Sequence, residues 1–389
     1  MGSGLRFPLV NSLRALAALS VVAFHAVGYF AAGFSKDAAL RPFLARLDVG
    51  VVIFLAISGF LLYRPYARAA LHGEPPPDAR GYAWRRFLRI VPAYWVALLV
   101  AALVLSLHGV FSAHGLLVYF GFGQIYRTGT IGGGIPPAWT LGLEVTFYAM
   151  LPLYASLVRR LRVELAGVLV LLLGSMAYKA ALFATGVVAH PSLAPQPALV
   201  ILPGYLDEFA LGMALAVLSV RLEGRSLPRA LALVERRPGI AWLAAAAAFA
   251  VASLGIGLTG DPSQRYSAAQ YLAREALYGI VAVGLMLPAV FGHERRGGVR
   301  RFMALPVMVW LGAISYGIYL WHWPVLLELD KWGLASVTAV HPYLRWGGAA
   351  LVLSVAIGAL SYYLVERPAL SLKRLVPAAA RMRGEPIAP

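Results

Sequence analysis

Four ionisable side chains, Arg14, His25, Glu144 and His322, each fall inside a stretch of chain apolar enough to span a bilayer. An Arg, Lys or Asp at the centre of a spanning helix costs about 2.5–3.5 kcal/mol on insertion scales. Side chains at that depth face one another or a polar cavity, and they mark a pathway or a reaction site. A carboxylate beside an imidazole fixes its tautomer and raises its basicity, which is what a general base needs. Arginine adds a rigid fork that grips phosphate oxygens. The chemistry these residue types suit is proton or group transfer, or transport, within the membrane.

Spacing sharpens this. Arg14 and His25 are eleven residues apart, so on a helix they differ by about 20° in azimuth and roughly 16 Å along the axis. They share a face, with Asn11 close to the same stripe. The competing reading is an interface arginine that snorkels and a packing histidine, and both depth and shared face argue against it. Thr140, Glu144 and Tyr148 stand at i, i+4 and i+8, which places Glu144 at a depth comparable to His25. Arg86 and Arg89, at i and i+3 in the run Trp84–Pro92, could hold phosphate oxygens or serve only as membrane-boundary anchors. Ser315, Tyr319 and His322 fall on one stripe; His322 either lines an acceptor site or only packs. Asp207 and Glu208 are further acids at membrane depth, with no partner that spacing can name. There is no zinc signature, no phosphate-binding glycine loop and no serine nucleophile elbow.

These residues need a scaffold of spanning helices, and composition supplies one. Of 389 residues 60% are hydrophobic and only 13% charged, against roughly 25% in soluble domains. The absence of cysteine removes disulfides, thiolate nucleophiles and Cys-based metal sites together. The net charge of +17 does not form a nucleic-acid patch, because the basic residues recur in short blocks between apolar runs. The fold class expected is an all-α polytopic bundle with no soluble domain. At about 20 residues per crossing, ten spans are expected: 9–30, 49–66, 87–107, 139–158, 164–188, 199–220, 239–258, 269–291, 306–328 and 345–366. Alternate loops are rich in arginine, which puts both termini in the cytoplasm of a multi-pass cell-membrane protein. Residues 110–138, long and glycine-rich, are expected to be re-entrant or interfacial. Residues 1–368 then form one transmembrane domain, with 369–389 as a short cytoplasmic tail.

Taken in order, the pieces resemble membrane-bound acyltransferase family 3, the integral-membrane O-acyltransferases. The resemblance is carried by Leu13-Arg14-Ala15-Leu16 leading to Phe24-His25, Phe54-Leu55-Ala56-Ile57-Ser58-Gly59-Phe60, and Arg86-Phe87-Leu88-Arg89. It continues through Trp139-Thr140-Leu141 with Glu144, Ser315-Tyr316 with Tyr319-Leu320-Trp321-His322, and Glu366-Arg367-Pro368. It implies an acyl-CoA donor, acetyl-CoA above all, arriving from the cytoplasm as co-substrate, with no tightly bound cofactor and no metal. It implies that His25 is the catalytic histidine and that Arg86 and Arg89 serve the donor; Arg14, entering from the same side, is expected to join them. Glu144 is expected to orient His25. Ser58, Tyr316 and His322 are expected at the acceptor site, with Tyr316 or His322 supporting the acceptor or the oxyanion. Many members carry an extra esterase-like domain after the last span; this sequence is expected to lack one, which leaves a polysaccharide, peptidoglycan or small-glycoside acceptor open. The partners expected are acyl-CoA, a carbohydrate acceptor and the lipid bilayer, and no nucleic acid. The rival reading is a proton-coupled transporter built on the same His and Glu, and the lack of an inverted repeat argues mildly against it.

Overall fold

The computed structural model describes residues 7–29, 40–191, 195–258, 264–292, 297–333 and 342–375. Among them no strand occurs. Ten long helices carry the fold: α1 (Pro8–Ala23), α2 (Val49–Leu71), α3 (Ala79–Val104), α4 (Trp139–Leu161), α5 (Glu164–Ala184), α6 (Leu206–Arg221), α7 (Gly239–Ala250), α8 (Ala268–Val290), α9 (Pro306–Lys331) and α10 (Pro342–Ser361). Their ends follow local chemistry. Asp78 caps α3 by accepting from the Gly81 amide at 2.7 Å. Ser267 and Gln270 form a reciprocal capping box at the start of α8. Proline opens α1 and α9, where its missing N–H is harmless.

The all-α bundle is as expected, but the count of ten spans is not reproduced. Seven helical segments among the described residues are long and apolar enough to cross a membrane, or eight if one bent pair is a single span. The three departures have separate causes. The expected span 199–220 is interrupted by the turn Leu202–Gly204, which leaves α6 only 16 residues long. The expected span 239–258 is the bent pair, turning by 98° from the helix Arg229–Arg236. Helix α9 is long enough, but Ser315, Tyr316, Tyr319, Trp321, His322 and Trp323 dilute its hydropathy. The segment expected to be re-entrant folds as short helical turns between α3 and α4, with Gln124 and Ile125 buried. The basic tail beyond Leu375 and the loop residues Lys36, Arg295 and Arg296 lie outside the described residues.

Packing is closest where glycine removes a side chain. Helices α2 and α6 touch backbone to backbone: a Cβ at Gly59 would overlap the Phe209 carbonyl, and one at Gly212 the Ala56 carbonyl. Phe147 of α4 stacks on Phe209 of α6 with centroids 3.9 Å apart. Helix α1 crosses α9 at Gly312, where a Cβ would overlap the Asn11 carbonyl. The fully buried Arg300 ties down one end of the bundle by donating to the carbonyls of Pro288, Phe291 and Glu235. Leu103, Leu153, Leu173 and Leu243 stand exposed, as side chains facing lipid would.

Candidate active site

Helix α1 ends its regular winding at Ala23, and Phe24–Tyr29 continues as a π turn. Such turns are rare and concentrate at functional sites. His25 sits in this turn, and the Ala26 carbonyl is held by Trp346 Nε1 at 2.8 Å. His25 Nδ1 lies 3.1 Å from the Val21 carbonyl and 3.1 Å from His322 Nε2. His322, fully buried on α9, places its Nδ1 2.6 Å from the Tyr319 carbonyl.

This chain of contacts assigns the protons. A carbonyl can only accept, so His322 Nδ1 carries its hydrogen and His322 Nε2 offers a lone pair. His25 Nδ1 then faces two acceptors and must be the donor. The neutral His25 ring is left with its lone pair on Nε2, the atom a general base uses. The ring is braced edge-on by Trp323 at 5.2 Å. His25 therefore takes its partner from α9 and not from α4.

The expected hydrogen bond between His25 and Glu144 is not formed. Glu144 accepts instead from Ser58 Oγ at 3.1 Å and from the Tyr148 hydroxyl at 2.8 Å. It lines a small pocket of about 40 Å³ together with Arg14, Tyr316 and Tyr319. Arg14 is within electrostatic reach of Arg86, Arg89 and Glu144. The Arg86 guanidinium lies 5.9 Å from the Tyr148 ring, and that of Arg89 lies 5.7 Å from Tyr316 and 3.6 Å from Glu366. The Nε atoms of Arg14 and Arg86 are buried without a hydrogen-bond partner. Arg14, Arg86, Arg89, Ser58, Glu144 and Tyr316 thus form one constellation, and His25 and His322 another. Tyr316 spends its hydroxyl on the Ile90 carbonyl at 2.8 Å.

His25 opens onto a much larger cavity of about 490 Å³, within the range that holds small organic ligands. Thr140, Val51 and Tyr319 line both this cavity and the small pocket. The Tyr319 hydroxyl donates to the Pro137 carbonyl and accepts from Thr140 Oγ1 at 2.6 Å. That hydroxyl pair stands in the wall the two spaces share.

The far wall of the large cavity holds a charged cluster that spacing alone does not assemble. Lys179 pairs with Asp207 at 2.8 Å and Glu275 at 3.3 Å, while Arg274 pairs with Glu275 at 2.9 Å and Asp48 at 3.7 Å. A signal was present: Lys179, Arg274 and Glu275 all lie inside apolar spans. Among the described residues no three His, Cys, Asp or Glu side chains group as metal ligands.

Comparison with known proteins finds likeness over nearly the whole length. The acyltransferase domain of acyltransferase family 3 matches residues 8–364. A Komagataeibacter xylinus protein named as a membrane-bound transacylase, BcsY, is 30% identical, covering 96% of this chain and 86% of its own. A Bacillus subtilis protein named as a peptidoglycan O-acetyltransferase, YrhL, is 25% identical over 93% of this chain and 54% of its own length. The exopolysaccharide production protein ExoZ of Rhizobium meliloti is 28% identical over 86% and 93%. No solved structure matches. The chain is similar to each of these, and with a match of that extent it belongs to acyltransferase family 3, as a membrane-bound O-acyltransferase.

Proposed function

We propose that this enzyme moves an acyl group, acetyl above all, from acyl-CoA to a hydroxyl of a carbohydrate or small glycoside. The observation that carries the reading is the His25–His322 pair, with His25 on the wall of the 490 Å³ cavity and the arginine constellation behind it. Arg86, Arg89 and Arg14 receive the phosphates of the donor, since guanidinium groups suit phosphate oxygens and the Nε donors of Arg14 and Arg86 are unpartnered. The thioester end passes the Thr140–Tyr319 wall to reach His25. The acceptor oxygen attacks the thioester carbonyl carbon while His25 Nε2 removes its proton. The C–S bond then breaks, and the departing thiolate recovers that proton as CoA thiol. The products are the ester and free CoA. Glu144, bonded to Ser58 and Tyr148, serves the arginine side of this path rather than holding the imidazole. On the arginine-rich-loop rule, both termini and the donor entrance face the cytoplasm of the cell membrane.

The test uses purified protein in detergent with labelled acetyl-CoA and candidate alcohols. CoA release with label transferred to the alcohol supports the reading. In folded His25→Ala protein the rate should fall by about 10²–10⁴-fold, the range for loss of a general base. Wild-type protein that releases no CoA with any alcohol, or a folded His25→Ala protein at the wild-type rate, overturns it. A proton-coupled transporter would instead move solute in vesicles without consuming acetyl-CoA.

A further inference from the structure

The charged cluster on the far wall balances without one of its members. Arg46, Lys179 and Arg274 supply three cations; Asp48, Asp207 and Glu275 supply three carboxylates. Every one of those carboxylates has a partner: Asp207 and Glu275 are bound by Lys179 and Arg274, and Asp48 accepts from the Tyr278 hydroxyl beside Arg274. Arg46 lies beside Asp48 and donates to the Tyr266 hydroxyl at 3.3 Å. Glu208 is the surplus carboxyl. It is 3% exposed, meets the Glu275 carboxyl but receives no N–H or hydroxyl donor at either oxygen, and lines the cavity that His25 also lines. Leaving a carboxyl in that state costs stability, because one contact to another carboxyl replaces only part of the hydration that burial removes. A ligand that donates to it would repay that cost.

The walls narrow the ligand. Trp139 and Trp323 line the cavity, offering flat apolar faces beside a carboxyl acceptor. A ligand cation would want an aromatic cage, but the cage present is filled: the Arg274 guanidinium lies 4.9 Å from the Tyr271 ring and 5.5 Å from the rings of Tyr266 and Tyr278. A ligand anion would meet Glu208, Glu275 and Asp48 together on the lining. A neutral ring with several hydroxyls satisfies all three constraints, with hydroxyl protons for Glu208 and an apolar face for the indoles.

We propose that Glu208 is an acceptor-binding residue that receives hydroxyl protons from a neutral sugar lying between it and His25, and so sets which hydroxyl is presented to the base. This rests on the acyl-transfer reading and names the substrate class of the same site. It explains why an acid that forms no salt bridge is kept beside a cluster whose charges balance without it. Glu208 touches the acceptor and not the donor, so its loss separates the two substrates.

Intrinsic fluorescence reads occupancy of the cavity, because Trp139 and Trp323 line it. The full chain is purified in a detergent without a sugar headgroup and titrated with cellobiose, glucosamine and glucuronate. Wild-type emission should change saturably with cellobiose and respond more weakly to the two charged sugars. Glu208→Gln should weaken cellobiose binding by at least tenfold, while acetyl-CoA binding and the unfolding temperature stay at wild-type values. Glu275→Gln serves as the structural control: it strips Lys179 and Arg274 of a shared partner and should lower the unfolding temperature. If Glu208→Gln lowers the unfolding temperature as well, Glu208→Asp, which keeps the carboxyl but withdraws it from the ligand, decides. No saturable response to cellobiose, a preference for glucosamine, or equal cellobiose affinity in the folded variants overturns the proposal. Failure of the acyl-transfer reading is distinguishable, since it shows as wild-type protein that neither binds nor consumes acetyl-CoA.

Discussion

The His25–His322 contact can be cut without emptying the site, which makes it the sharpest place to test the chemistry. His322 does two things at once: Nδ1 donates to the Tyr319 carbonyl, and Nε2 accepts from His25 Nδ1. Asparagine places its amide nitrogen where Nδ1 was, so His322→Asn keeps the first contact and loses the second. Glutamine reaches the Nε2 position, so His322→Gln keeps an acceptor for His25. In the Asn variant His25 still has the Val21 carbonyl at 3.1 Å, so the ring is loosened rather than released. Losing one of two buried hydrogen bonds removes about 1–3 kcal/mol of orientation. At 1.36 kcal/mol per factor of ten, acyl transfer in His322→Asn should fall by roughly five- to 150-fold. His322→Gln should stay within a few-fold of wild type. The assay is release of free thiol from acetyl-CoA, which has no background here because the protein contains no cysteine. Equal rates in the Asn and Gln variants, with both folded, would show that His322 packs against His25 and does not orient it.

Two further outcomes follow from the arginine constellation and the loop charges. Arg86→Ala combined with Arg89→Ala should weaken acetyl-CoA binding at least tenfold, and Lys at both positions should rescue only part of it, since an ammonium lacks the bidentate fork; unchanged affinity in isothermal titration would reduce both to membrane anchors. Reporter fusions after Arg225 should read cytoplasmic and fusions at Ser263, which lies outside the described residues, should read external; a cytoplasmic signal at Ser263 would invalidate the proposed orientation.

What the sequence could and could not reveal divides along one line. Arg14, His25, Glu144 and His322 stand out because each is a costly residue in an apolar run, and that cost is visible one helix at a time. Which of them touch is decided between helices. His25 meets His322 because α1 and α9 meet at Gly312 over the Asn11 carbonyl and because a π turn re-aims the ring. Neither the crossing nor the turn leaves a periodic trace, and depth alone points from His25 to Glu144. Glu144 shares a helix face with Thr140, yet the two bond to different partners: Thr140 to Tyr319 of α9, Glu144 to Ser58 of α2 and to Tyr148 of its own helix. The ten hydrophobic segments were legible as helices, but hydropathy alone overlooked the turn at Leu202–Gly204 and the 98° bend before Gly239. Lys179, Arg274 and Glu275 are as conspicuous in apolar spans as Glu144, but no motif surrounds them to say what they do.

The hydroxyl pair of Thr140 and Tyr319 has a meaning for the cell that is separate from chemistry. On the proposed orientation, the arginine pocket faces one compartment and the 490 Å³ cavity faces the other. An aqueous path joining them, lined by guanidinium groups and imidazoles, would conduct anions and protons. Each elementary charge crossing a membrane at 100 mV dissipates about 2.3 kcal/mol. An enzyme that reaches a donor on one face and an acceptor on the other must therefore remain an electrical insulator between turnovers. Two hydroxyls fastened to the Pro137 carbonyl are a thin septum, but they are neutral, buried and self-satisfied, so they seal without placing a charge in the path. On that orientation, the membrane potential is guarded by a threonine and a tyrosine.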